Sequence, residues 1–414
     1  MDSIMGSDVL LRRQRSTSRA LLWTNLLSEP LFTLYGFLGF ILYKDLGASA
    51  FSISLLVTLK PVVTILSFYW SAGLKGGGKR LKANALWAGF LMRAPFLLVP
   101  WIDSVWFVIA AAVNYMFFYR AGIPAWLEIL KRNLSGGNRE RWFSASSALS
   151  YAEGIVLSLG MGTVLDRDPG LWKVLFFGAA VIGIASLWLM SLIEVEETEV
   201  EAGVRPSIKE LIVRPWRDSL ELMRRRPDFS VFQWGFMMCG FGIMLIQPVL
   251  PVLAVDWLGV SYLEMAAAVS IAKGFGFALS SPLWARWFER VPIYLISGAV
   301  FLSVGLFPLM LALSPLGLWW FYLAYFWYGV GQGGSHLVWN MSGPVFAGDE
   351  ESSRYTGVNV AMAGLRGAVG PSLGGILLVI WGPIQVLCIG SLLCFYSGLW
   401  LARKKNPMPA VISE

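Results

Sequence analysis

AMAGLRGAVGPSLGGILLVI, residues Ala361–Ile380, is a run of apolar side chains and glycine with a single arginine, Arg366, set inside it. As a helix it extends about 30 Å, the thickness of a bilayer's hydrocarbon core. Such a run reads as a membrane-spanning helix. A charge within it is costly, and marks a functional site by default.

Apolar runs of similar length recur along the whole chain. The pattern predicts helices at about 20–43, 51–73, 83–102, 104–130, 143–164 and 171–193. Six more follow at about 230–255, 261–285, 292–314, 317–340, 356–380 and 384–402. The composition agrees, with 56% hydrophobic and only 14% charged residues over 414 positions, too little charge to cover a soluble surface. An all-α polytopic membrane protein is expected, with twelve transmembrane helices in two pseudo-symmetric six-helix bundles. The first apolar run is long and lacks a small-residue cleavage site, so no cleavable signal peptide is expected. Cys239, Cys388 and Cys394 lie in apolar runs, which suggests neither a disulfide framework nor a zinc site, and no cofactor is implied. The net charge of +7 reads as basic loops on one membrane face rather than a nucleic-acid surface.

If the N-terminus is cytoplasmic, Arg12, Arg13, Lys79, Arg80, Lys131, Arg132, Arg224, Arg225, Arg226, Arg286, Arg403 and Lys404 all fall inside. The opposite face receives only Lys44, Arg167 and Lys173. Positive charge inside predicts both termini in the cytoplasm, and the compact loops suggest a bacterial inner membrane. The expected division is a tail at 1–19, a first bundle at 20–193, a linker at 194–229, a second bundle at 230–402 and a tail at 403–414. The linker opens acidic and becomes basic and amphipathic, with Trp216, Leu220 and Met223 at helical spacing, as a helix on the inner membrane surface requires.

The halves are repeats. RWFSASSALSYAEGIVLSLGMG from Arg141 aligns without gaps on RYTGVNVAMAGLRGAVGPSLGG from Arg354, which sets Gly154 on Gly367 and Glu153 on Arg366. DLGAS at Asp45–Ser49 likewise matches WLGVS at Trp257–Ser261. Parallel repeats of this kind build transporters.

With these features the chain resembles the major facilitator superfamily, built from two six-helix halves joined by a central loop. Of the family's Gly-x-x-x-Asp-Arg-x-Gly-Arg-Arg loop, SAGLKGGGKR (Ser71–Arg80) keeps Gly78, Lys79 and Arg80 but has Lys75 at the aspartate. The copy ARWFERVP (Ala285–Pro292) keeps the acid–base pair as Glu289 and Arg290, and Arg120 stands where the family has a fourth-helix arginine. The resemblance makes Arg120, Glu289 and Arg290 gating residues, and sets the second helix beside the eleventh. GPSLGG (Gly370–Gly375) looks like the family's antiporter motif but sits on the eleventh span, where its glycines are read as permitting close helix packing.

Counting inward from the span ends puts Glu29, Lys60, Glu153, Lys273 and Arg366 near the membrane centre. Arg93 also falls inside a span, on the third, which is usually peripheral. The resemblance turns the five toward a central cavity. Internal salt bridges are the alternative, but three bases and two acids leave one positive charge over, which suits an anionic solute. Lys60, Arg366 and Lys273 are the candidate substrate-binding charges, with Tyr35 and Asn340 as polar lining. Glu29 and Glu153 are the candidates to carry a coupling proton. GLKGGGKR lacks the Ser/Thr and the preceding strand of a phosphate-binding loop, and Ser372 with the lone His336 is a poor hydrolase, so no enzyme is expected. The expectation is a monomeric secondary transporter in the lipid bilayer. It moves a small organic anion or zwitterion by alternating access, with H+ as coupling ion. An exporter of amphiphilic drugs or lipids and a non-transporting receptor or scaffold are the rivals.

Overall fold

The structure, a computed structural model, describes residues 2–72, 78–134, 136–195, 208–348, 350 and 352–404. The described chain is helical almost throughout. Helices α1 (Asp2–Lys44), α2 (Ala50–Ala72), α3 (Gly78–Arg93), α4 (Val105–Asn133), α5 (Gly136–Arg167) and α6 (Trp172–Ser191) form the first half. Then come α7 (Ile208–Arg225), α8 (Pro227–Leu245), α9 (Val249–Val252), α10 (Tyr262–Ala266), α11 (Lys273–Phe288), α12 (Ile293–Ala312), α13 (Leu318–Ala347), α14 (Ser352–Trp381) and α15 (Pro383–Ala402). Among the described residues, ten helical stretches are long and apolar enough to cross a membrane. The apolar part of α2, Ala50–Thr64, is shorter, and α13 is dense in tryptophan and tyrosine. Large apolar side chains such as Trp101, Leu316, Val379 and Ile380 are exposed on the outside, as a lipid-facing surface requires.

Three elements differ from the sequence expectation. The polar start is no separate tail: α1 runs unbroken from Asp2, and Thr17 and Ser18 are already buried. Asn133 at the end of α4 donates to Thr17 Oγ1 at 2.9 Å and to the Glu194 carbonyl at 2.8 Å, which draws this polar turn into the bundle. The span expected at 230–255 breaks after Leu245, where Pro248 and Pro251 each lack an N–H, and continues as α9 and a π-turn, Leu253–Trp257. The span expected at 261–285 opens with a capping box, Ser261 and Glu264 each bonding the other's backbone N–H, and carries a π-turn, Ala267–Ala272, just before Lys273. The loop around Lys75, the acidic start of the linker and residues 405–414 lie outside the described residues.

Two compact units emerge, residues 1–47 with 63–205, and 48–62 with 206–414. In the first, α1 packs on α5 and α6, and α3 on α4. Stacked Phe96 and Phe176, with centroids 5.1 Å apart, fill its interior. In the second, α12 packs on α13 and α15, and α11 on α13, around Phe229, Phe232, Phe236 and Phe301. The α11–α13 seam is a direct backbone approach: a Cβ on Gly276 would strike the Phe326 carbonyl, and one on Gly329 the Lys273 carbonyl. The linker helix α7 turns Leu222 and Met223 onto the second core and leaves Leu220 exposed.

The start of α2 belongs to the second unit because α14 holds it. Ser54 donates to the Pro371 carbonyl at 2.6 Å, and the Thr58 and Ser372 hydroxyls are 3.0 Å apart. Gly367, Gly370, Gly374 and Gly375 on α14 face Pro61, Met244, Leu245 and Ser54 in turn, so the glycines of GPSLGG do serve close packing.

The repeat reaches the backbone. Gly47 and Gly259, matched in DLGAS and WLGVS, both adopt left-handed φ values, +62° and +60°, with nothing within 4 Å of an added Cβ. Only the backbone penalises substitution there. Gly47→Val and Gly259→Val should each cost about 1–2 kcal/mol or more in thermal unfolding, with Asn tolerated better. Gly178→Ala, in open space on a helix, should cost nothing.

Candidate functional site

In the first unit a cavity of about 500 Å³ opens among α1, α3, α4, α5 and α6. Thr24, Asn25, Ser28 and Glu29 form one stripe of α1 along its wall, at the i, i+1, i+4, i+5 spacing that shares a helix face. Asn25 donates to Ser146 Oγ of α5 at 2.8 Å. Thr33 offers Glu29 Oε1 a contact of only 3.5 Å. Gly154 of α5 makes room for that carboxylate, because a Cβ there would stand 2.7 Å from Oε1. Glu153 adds its negative charge to the same region, and its own Oε2 is buried without a hydrogen-bond partner.

Arg93, which the sequence marked as out of pattern, borders this cavity and is 2% exposed. Its Nη1 donates to the Gly89 carbonyl at 2.6 Å and its Nη2 to Ser28 Oγ at 2.7 Å, while Nε has no partner. The guanidinium lies in a notch left by Gly183 of α6, where a Cβ would collide with it. Tyr35 is buried away from the cavity, its hydroxyl donating to the Ala112 carbonyl at 3.2 Å and its ring 4.6 Å from that of Tyr115. Arg120 is exposed, 5.9 Å from the Tyr119 ring.

In the second unit the contact of Pro61 with Gly367 brings together the chain neighbours of Lys60 and Arg366. The Arg366 guanidinium itself turns to α8. Its Nη1 donates to the Phe236 carbonyl at 2.8 Å and its centre stands 4.3 Å from the Phe236 ring, in a notch left by Gly240. Lys273 follows the π-turn, its ammonium 5.8 Å from the Tyr328 ring. Phe277, one turn along, meets His336 edge-on at 5.7 Å, and Asn340 donates to the His336 carbonyl at 2.8 Å. Lys273, His336 and Asn340 are thus set along the α11–α13 seam. Glu289 and Arg290 are exposed at the end of α11.

Two further polar networks lie in the second unit. Arg226 grips Asp228 with two bonds, 3.1 and 2.8 Å, and donates to Tyr355 at 2.7 Å, which in turn donates to Glu350 at 3.0 Å. Gln233 bonds Asn359, which donates to Ser342 at 2.9 Å in the fully buried core. No cluster of three or more potential metal ligands occurs among the described residues.

A family model described as Major Facilitator Superfamily matches residues 22–365. The chain belongs to the major facilitator superfamily. Among solved structures, a mutant of the nucleoside transporter NupG aligns with TM-score 0.69 and 13% identity over 92% of this chain and 98% of its own. A POT family transporter in complex with 5-aminolevulinic acid aligns with TM-score 0.70 and 12% identity over 92% and 94%. The peptide transporter POT in complex with sulfate aligns with TM-score 0.72 and 13% identity over 93% of each chain. At these identities the likeness is one of fold. No curated protein matches by sequence. Membership makes this a multi-pass membrane transport protein and accounts for the long apolar helices and the repeat.

The notch at Gly240 is testable. Gly240→Ala should drive the Arg366 guanidinium off the Phe236 carbonyl and lower stability by about 1–3 kcal/mol, the usual cost of overpacking. Adding Arg366→Met should recover much of that loss in a thermal-unfolding cycle. Purely additive effects would show that the two sites do not interact.

Proposed function

We propose that the protein is a secondary active transporter that moves a small organic anion or zwitterion by alternating access, coupled to protons. The observation that carries the reading is the selective placement of charge. Glu29, Lys60, Glu153 and Arg366 sit well inside α1, α2, α5 and α14, and Lys273 lies within the apolar stretch Tyr262–Phe288, whereas α12 and α15 contain no charged residue at all. Charge at membrane depth is costly and is retained where it serves transport. Lys60, Lys273 and Arg366 supply positive charge for a carboxylate, with Asn340 beside them in chemical role. Glu29 and Glu153 are the acids available to take a coupling proton. Tyr35, bonded to Ala112, serves by bracing α1 against α4. Arg120, exposed midway along α4, and Glu289 and Arg290, exposed at the end of α11, retain the gating role that the family pattern gives them. Similar folds hold ligands of this chemistry, 5-aminolevulinic acid in one and sulfate in another. The basic residues at one set of helix ends support an inner-membrane location with both termini cytoplasmic.

A second reading, export of an amphiphilic compound, is favoured by the aromatic lining of the first unit's cavity, which includes Phe32, Phe118, Tyr119 and Trp126.

Uptake into proteoliposomes decides among these. An inwardly directed proton gradient should drive accumulation of a labelled zwitterionic or anionic solute, and a protonophore should abolish it. Glu153→Gln should lose gradient-driven accumulation while keeping solute exchange. Accumulation of lipophilic cations alone would favour the exporter. No gradient-dependent flux of any solute would leave a non-transporting receptor.

A further inference from the structure

The first unit's cavity carries more than a proton site needs. Glu29 forms no ion pair among the described residues, and its one side-chain hydrogen bond, from Thr33, is long. A carboxylate so placed has no ion-pair partner, which is expensive away from water. Arg93 lines the same cavity, but its guanidinium is directed to the Gly89 carbonyl, to Ser28 and into the Gly183 notch rather than to Glu29. Two further oxygens on the same wall are stranded. Thr24 Oγ1 and Ser150 Oγ belong to side chains 7% and 9% exposed, and neither has a hydrogen-bond partner. Asn25, whose Nδ2 is committed to Ser146, has its carbonyl oxygen left to accept. The α1 and α5 wall therefore offers a carboxylate without an ion-pair partner and oxygens free to accept.

Size settles what kind of cation fits. A bare alkali ion or a water fills only about 30 Å³. A cavity of about 500 Å³ suits a whole organic molecule. The rest of its lining is apolar or aromatic, with Trp126, Met92 and Tyr119 prominent, and ring faces favour an adjacent ammonium.

We propose that this cavity, inside the first helix bundle, binds the ammonium group of a small organic solute against Glu29 and the oxygens of α1 and α5, with the solute's apolar body against Trp126 and Met92. The proposal deepens the transport reading by naming one charge on a recognised solute, and rests on it for its physiological meaning.

Equilibrium binding without any gradient tests the site separately from transport. Tritiated 2-phenylethylamine should bind the purified protein, and 2-phenylethanol and 3-phenylpropionate, neutral and anionic analogues of similar size, should compete at least tenfold more weakly. Glu29→Gln should weaken amine binding at least tenfold. Ile123→Trp, which fills the cavity and alters no charge, should do the same, so the test survives if the first variant fails to fold. Equal competition by the alcohol, binding retained in both variants, or displacement by millimolar NaCl as an alkali-ion site would produce, each overturns the proposal. Amine binding without gradient-driven flux keeps the site and removes the transport reading, and flux without amine binding does the reverse.

Discussion

A guanidinium at membrane depth needs both an acceptor and space, and in each unit a glycine on a facing helix supplies the space. Gly183 opens the notch for Arg93 and Gly240 the notch for Arg366. In both, a backbone carbonyl accepts at hydrogen-bond distance, Gly89 in the first and Phe236 in the second. No carboxylate is consumed. A charged group is thereby held by uncharged structure, at the cost of one unsatisfied Nε each. This economy shapes the helices around it, since α3 must end beside α6 and α14 must lie against α8.

The same constraint explains what was legible in the sequence. Span positions were readable because hydrophobic run length is dictated by the bilayer: the expected 292–314 and 384–402 correspond to α12, Ile293–Ala312, and α15, Pro383–Ala402. The repeat was readable because the two glycines of DLGAS and WLGVS meet the same left-handed requirement. The packing role of Gly370–Gly375 followed from composition. The extension of α1 was hidden, because a polar turn can be buried when a partner such as Asn133 lies elsewhere in the chain. The π-turn before Lys273 was hidden too, since it depends on the tight α11–α13 seam. Nor does sequence say which way an arginine points. Arg366 was expected to face a solute, and its guanidinium is engaged by α8.

Charge sign also separates between the units. Acids at mid-span, Glu29 and Glu153, belong to residues 1–47 and 63–205, whereas Lys60, Lys273 and Arg366 belong to residues 48–62 and 206–414. Lys60 joins the basic set because Ser54 and Thr58 tie its helix to α14. In the first unit Glu29 and Glu153 are like charges that repel. Repulsion of this kind opposes a collapsed bundle, so the fold's stability must come from elsewhere.

It comes from polar groups that bond one another across helices. Arg226, Asp228, Tyr355 and Glu350 clasp one end of the second unit, and Gln233, Asn359 and Ser342 close a buried network between its helices. Asn133, Thr17 and the Glu194 carbonyl do the same in the first unit. Such networks rigidify a core. Buried oxygens without a partner occur on several helices, Gln233 Oε1 and Asn133 Oδ1 among them. Those of Thr24 and Ser150 differ in lining a cavity of about 500 Å³ beside the Glu29 carboxylate. Incompleteness next to space for a solute, more than the presence of charge, separates the candidate site from the scaffold that carries it.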